Sequence, residues 1–150
     1  VDKNRNVRHC SNLILNTILH TMAAQADSFQ VALDLDTQIP KEIPVNEYEF
    51  ALVLANLLEN AIYSVRELPK SKRSVTAKIQ CTKEHLLIDM ENACEKEIIF
   101  DTVTGLPKSR RGGDHGLGMQ SVLAFSERLG ASIDCYCEKG RFRFMMFANF

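Results

Sequence analysis

The sequence predicts an α+β two-layer sandwich in which a mixed five-stranded sheet carries three helices on one face. Three observations predict it. Five short runs alternate apolar and polar residues, three longer runs repeat apolar residues at helical spacing, and most strands come in pairs joined by short polar turns. The order helix, strand, helix, two strands, helix, two strands excludes a doubly wound dinucleotide fold. That fold alternates strand and helix throughout and places G-x-G-x-x-G after its first strand.

From Val7 to Ala26 the residues Leu13, Ile14, Ile18, Leu19, Met22 and Ala26 recur three and four apart, which predicts an amphipathic helix. Val31, Leu33 and Leu35 then alternate with Ala32, Asp34 and Asp36 as a half-buried strand, and Pro40 and Pro44 punctuate the following loop. Asn46 is placed to cap the second helix, with Glu49 three residues on reaching back as in a capping box. This helix is expected to run to about Leu68, where Pro69 stops it. Val75, Ala77, Ile79 and Cys81 form a second alternating strand and Leu86, Ile88 and Met90 a third, a hairpin turning near Lys83 and Glu84. Periodicity lapses between Glu95 and His115, a long loop of the kind that compact domains keep as a functional lid. Helix resumes over Gly116 to Leu129, and Ala131 to Cys137 and Arg141 to Phe147 form a last hairpin around Lys139-Gly140.

Composition narrows the function classes. The 150 residues, 45% hydrophobic and 25% charged, suit one globular domain and exclude disorder and collagen-like repeats. The longest apolar stretch, around Ala51 to Leu58, is broken by Asn56 and is far shorter than the roughly 20 residues of a membrane-spanning helix. A net charge of -1 leaves no global attraction to nucleic acid or anionic membranes, so nucleic acid is not expected as a partner and any anion site must be local. Five cysteines without a C-x-x-C pair fit neither a disulfide framework nor a zinc site, and read as reduced thiols. Cys135 and Cys137, two apart on a strand, are expected on one face as small hydrophobes. The chain opens on Val1 with no secretory h-region, and reads as a piece of something longer.

Two features carry chemistry. On the central helix, Phe50, Val53, Leu54, Leu57, Leu58, Ala61, Ile62 and Val65 share one apolar face, with Asn56 and Asn60 together at its margin. Asparagine disfavours a helix interior by about 0.5 kcal/mol or more relative to alanine. An i, i+4 pair is therefore either a solvated flank or a functional pair, and an amide oxygen is a competent magnesium ligand. The second feature is Gly112-Gly113-Asp114-His115-Gly116-Leu117-Gly118-Met119, where glycines lead from the loop into a helix. It is either a flexible turn or a place where phosphate approaches backbone N–H groups at a helix N-terminus.

Together, NLLENAI and HGLGMQSV resemble the N box and G2 box of the GHKL superfamily, which unites histidine kinases with gyrase-, chaperone- and mismatch-repair-type ATPases. The resemblance extends from the first helix to Phe147 and implies the Bergerat-type ATP-binding fold. Within the superfamily the chain looks most like the catalytic domain of sensor histidine kinases of the peptide-pheromone receptor type. The resemblance implies that Asn60 ligates the Mg2+ bridging the ATP phosphates and that Asn56 stands near those phosphates. Hydrolysing relatives have a glutamate at the earlier position to activate water. An amide cannot act as a general base, which favours a kinase over an ATPase. Gly116 and Gly118 match the glycines that phosphates approach, with Leu117 and Met119 packing nearby, and Glu95 to His115 matches the ATP lid. Arg110, Arg111 and His115 are its candidate phosphate partners, or simply its polar residues.

One box departs from the pattern. Most such kinases carry D-x-G-x-G after the third strand, whose aspartate accepts a hydrogen bond from the adenine amino group. Here the stretch is Glu91-Asn92-Ala93-Cys94-Glu95, and the amide oxygen of Asn92 is the replacement acceptor, an asparagine common in the pheromone-receptor branch. Tyr63 and Arg66 are candidates to border the pocket. The resemblance thus implies a domain that binds Mg-ATP and passes its γ-phosphate to a histidine on a separate dimerisation domain. The acceptor is expected upstream rather than at His9, with a homodimer formed through those upstream helices and a response regulator downstream. The expected location is cytoplasmic, at the cytosolic end of a membrane receptor. The alternatives are an anti-sigma-factor-type serine kinase and a degenerate nucleotide-binding module without catalysis.

Overall fold

In a computed structural model, which describes residues 10–95, 98–107 and 115–150, the chain forms three α-helices and five strands. They are α1 (Leu13–Ser28), β1 (Ala32–Gln38), α2 (Glu47–Val65), β2 (Ser74–Cys81), β3 (His85–Ala93), α3 (His115–Leu129), β4 (Ser132–Glu138) and β5 (Arg141–Asn149). The sheet order is β1-β2-β3-β5-β4. β1 runs parallel to β2, with α2 as the crossover, and every other neighbouring pair is antiparallel. The sheet is therefore mixed, and the three helices pack on it as one layer, as expected.

Alternation sets the layers. Leu33, Leu35 and Thr37 of β1, Val75, Ala77 and Ile79 of β2, and Leu86, Ile88 and Met90 of β3 are buried under the helices. The apolar stripe of α2 fills the centre, with Phe50, Val53, Leu54, Leu58, Ile62 and Val65 each fully covered. Phe50 lies parallel to Phe125 of α3, ring centroids 5.8 Å apart. The opposite sheet face is polar, and Arg143 of β5 makes a two-bond contact with Asp89 of β3 at 3.0 and 2.8 Å. Among the described residues no helix is long and apolar enough to cross a membrane.

The helix ends differ from expectation in physically readable ways. α1 begins at Leu13 because Asn12 caps it: its Oδ1 accepts from Leu15 N–H and its Nδ2 donates to the Lys41 carbonyl, both at 3.0 Å. The apolar period alone extended this helix toward Val7, but Cys10 bridges to Ile39 as a short extension beside β1. α2 begins as expected, with Asn46 Oδ1 accepting from Glu49 N–H at 3.0 Å. Glu49 does not complete a capping box. Its Oε1 instead accepts from Nε and Nη2 of Arg128, at 2.8 and 2.5 Å, which ties the start of α2 to the end of α3. α2 stops at Val65 rather than Leu68, and Pro69 introduces a single 3-10 turn.

Both hairpins form. In the second, Lys139 and Gly140 have φ of 52° and 75°, the paired left-handed geometry of a tight two-residue turn. Cys135 packs against the core, and burial pushes its thiol and that of Cys81 up to about 11, so both remain protonated near neutral pH. Cys137 is exposed near the end of β4, so unlike Cys135 it is not packed as a small hydrophobe.

Among the described residues, Thr37 Oγ1 is the only buried side-chain oxygen or nitrogen without a hydrogen-bond partner. Thr37→Val keeps the shape and removes the orphaned hydroxyl. It is expected to stabilise the domain by about 1 kcal/mol, read as a higher urea midpoint at unchanged m.

Candidate functional site

The two asparagines of α2 face the start of α3. The helices run in opposite directions, as Glu49 meets Arg128 at one end while Asn60 meets Met119 at the other. Asn56 Nδ2 donates to the Gly118 carbonyl at 3.4 Å, across 62 residues of sequence. Asn60 Nδ2 lies 3.4 Å from Met119 Sδ, across 59 residues. Both asparagines are half-buried, so the pair is neither a solvated flank nor a sealed core feature. The approach is close: a Cβ at position 118 would stand 3.4 Å from Asn56 Cγ and 3.6 Å from its Oδ1, in ordinary van der Waals contact. The loop-to-helix glycine segment is thus more than a turn, since Gly118 closes the contact between the two motifs.

Asn92 belongs to the sheet side. It is the penultimate residue of β3, 4% exposed, and the connection to α3 leaves just after it. Its Nδ2 donates to the Ala93 carbonyl at 3.0 Å, which fixes the amide orientation, because only the NH2 end can face a carbonyl. The side-chain oxygen makes no hydrogen bond to the other described residues, as a polar ligand group requires of an acceptor.

Tyr63 sits one turn beyond Asn60 but is held from the α1 side. Its ring meets Phe29 edge-on at 5.7 Å, its hydroxyl accepts from Gln25 Nε2 at 3.3 Å, and the Arg66 guanidinium lies 4.5 Å from its ring centre. Arg110 and Arg111 lie outside the described residues, as does His9. His115, Gly116 and Leu117 open α3, where backbone N–H groups lack intrahelical partners, and their side chains lie outside the description.

Beside Asn92 stands an aromatic wall that no sequence motif marks. Phe142 of β5 is its cross-strand partner, and directly opposed residues share a sheet face. Phe100, from the loop after β3, stacks on Phe142 at 6.3 Å. Leu106 in the same loop is 3% exposed, and Cys135 Sγ donates to the Gly105 carbonyl at 2.8 Å. The first half of the expected lid is therefore anchored. The alternation of Phe142, Phe144 and Met146 signals a core strand, but nothing in the sequence signals that β5 lies beside β3.

The donor set fits magnesium held mainly by phosphate. Among the described residues no group of three His, Cys, Asp or Glu side chains forms a protein cage. Asn60, whose amide nitrogen faces a thioether, offers one neutral oxygen donor at the helix margin. One or two protein oxygens plus phosphates and water is the usual magnesium arrangement.

Comparisons with known proteins agree with this architecture. The structure aligns with the catalytic domain of the histidine kinase ThkA at a TM-score of 0.65 and 12% identity, covering 91% of this chain and 89% of that one. It also aligns with the Acinetobacter baumannii histidine kinase AdeS, at 0.65 and 14%, covering 91% of this chain and 62% of the other. A search of curated protein sequences finds no match. The sequence pattern described as a GHKL domain matches residues 45–147, a segment that holds both asparagines, Asn92 and Gly118. The chain therefore belongs to the GHKL family, and its fold is that of histidine kinase catalytic domains.

Proposed function

We propose that this domain binds Mg-ATP between α2, α3 and the sheet and delivers the γ-phosphate to a histidine on a separate dimerisation domain. The observation that carries the reading is the contact of Asn56 and Asn60 with Gly118 and Met119, which joins two motifs far apart in sequence. Asn60 would hold Mg2+ through its amide oxygen, and the metal supplies charge neutralisation across the phosphates. Backbone N–H groups at the start of α3 receive phosphate oxygens. The Asn92 oxygen accepts from the adenine amino group, and Phe142 and Phe100 shield that end from water.

Asn56 decides between transfer and hydrolysis. Its amide orients a neighbour through N–H donation, as it does now toward Gly118, but takes no proton from water. Phosphoryl transfer asks chiefly for positioning and charge neutralisation, which these groups provide without a base on this chain. The acceptor histidine, its homodimeric helices, a downstream response regulator and a cytoplasmic location at the inner end of a membrane receptor belong to the same proposal.

Titration with ATP, with and without magnesium, tests it. Saturable binding is expected, and Asn60→Ala is expected to weaken the magnesium-dependent component by about 1.5–3 kcal/mol, roughly 10- to 100-fold. Absence of saturable binding, or binding indifferent to both magnesium and the substitution, would sink the reading. Adding the acceptor domain in trans then distinguishes the alternatives: phosphohistidine supports the histidine kinase, phosphoserine a serine kinase, and no transfer a binding module.

A further inference from the structure

We propose that this chain self-associates through the outer edge of β4, which no described segment pairs, with two copies pairing antiparallel so that their sheets continue as one. Among the described residues the sheet has two edge strands, β1 and β4. An edge offers unpaired backbone N–H and C=O groups, and proteins that stay monomeric usually guard it with charge, proline, a bulge or a covering segment.

β1 is guarded. Its outward face carries Asp34 and Asp36, and the short extension at Cys10 occupies the far end beside Ile39. A twofold axis perpendicular to the sheet sets residues of the same face opposite one another. Centring such a pair on Leu35 opposes Asp34 to Asp36 twice. Centring it on either aspartate opposes that residue to its own copy. Like charges directly opposed destabilise a strand pair, so every register using most of β1 is penalised.

β4 differs. The strand Ser-Ile-Asp-Cys-Tyr-Cys-Glu contains no proline or lysine, its register with β5 is unbroken by a bulge, and no described segment pairs with its outer edge. One register engages all seven residues, the one centred on Cys135. It places Asp134 opposite Tyr136 of the second copy, Ser132 opposite Glu138, and Ile133 opposite Cys137, with no like charges facing. Shifting the centre to Asp134 sets that aspartate against itself, and shifting it to Tyr136 sets Asp134 against Glu138 twice. The acids thus exclude the neighbouring registers and leave the full-length one open. That register also covers Ile133 and Cys135, which pack against the core from one side and are only half-buried. β4 holds none of the residues proposed to bind nucleotide.

Sedimentation of the chain with Ser132→Glu and Ser132→Lys tests it, because Ser132 is exposed and in this register faces Glu138 of the second copy twice per dimer. Circular dichroism checks that each variant is folded. A reversible monomer–dimer equilibrium is expected. The glutamate is expected to weaken it and the lysine to tighten it, each by about three- to tenfold. A monomer at every concentration in all three chains would overturn the proposal. So would a dimer whose dissociation constant is indifferent to Ser132 or moves the same way in both variants.

Discussion

Replacing Phe125 by alanine is expected to destabilise the domain by about 3–5 kcal/mol, the largest loss at any single position on α3. Phe125 is 1% exposed and stacks parallel on Phe50, itself fully buried, so truncation leaves a ring-sized void between α2 and α3. Part of the loss is transfer free energy and part is the cavity, which two rigid helices tied at the same end by Glu49 and Arg128 cannot collapse to fill. For a domain of this size the shift corresponds to roughly 10 °C or more in Tm. Thermal and urea unfolding followed by circular dichroism measure it. A change below about 1 kcal/mol would show that the α2–α3 seam adapts, contrary to close packing.

The second large effect is expected at Gly118. A Cβ there meets Asn56 Cγ at 3.4 Å, an ordinary contact, so Gly118→Ala is expected to bind nucleotide almost as well as the parent. Gly118→Val adds two methyl groups where only one atom fits and forces Asn56 away, at a cost of about 1–3 kcal/mol in packing. Loss of the Asn56 contact displaces the asparagine that the proposed function puts beside the phosphates, and ATP affinity is expected to fall more than tenfold. Calorimetric titration of both variants, each checked for folding, makes the comparison. Equal affinities for alanine and valine would refute the approach of Asn56 as a limit on side-chain size at position 118.

The elements were legible where local physics decides them. Asn46 announces α2 because a cap acts within three residues, and Lys139-Gly140 announces its hairpin because the turn demands positive φ. Asn12 was hidden among the apolar residues of α1, where periodicity is louder than a cap. Glu49 reads locally as a capping partner but answers Arg128, far away in sequence, because a charged partner outcompetes a backbone N–H. The site followed the same division. Asn56, Asn60 and Gly118 were readable as motifs, and the structure brings them together. Phe142 beside Asn92 was not readable, since strand order arises from tertiary pairing and leaves no mark on either strand. Phe100 and Leu106, in an aperiodic loop, gave no pattern by which their packing could be anticipated.

The position of β5 has a consequence for how the chain acquires its shape during synthesis. Although it is the last of this domain's described strands to emerge, it lies between β3 and β4 and pairs with both along their lengths. A nascent chain that has made everything through β4 still has an open edge on β3 and an unpartnered β4, and Asn92 has no aromatic neighbour across the sheet. The interior is closed by the insertion of β5, so cooperative folding of the domain waits until nearly all of the domain has left the ribosome. Residues such as Phe144 and Met146, on the last strand of the domain, therefore act as keystones rather than as trim.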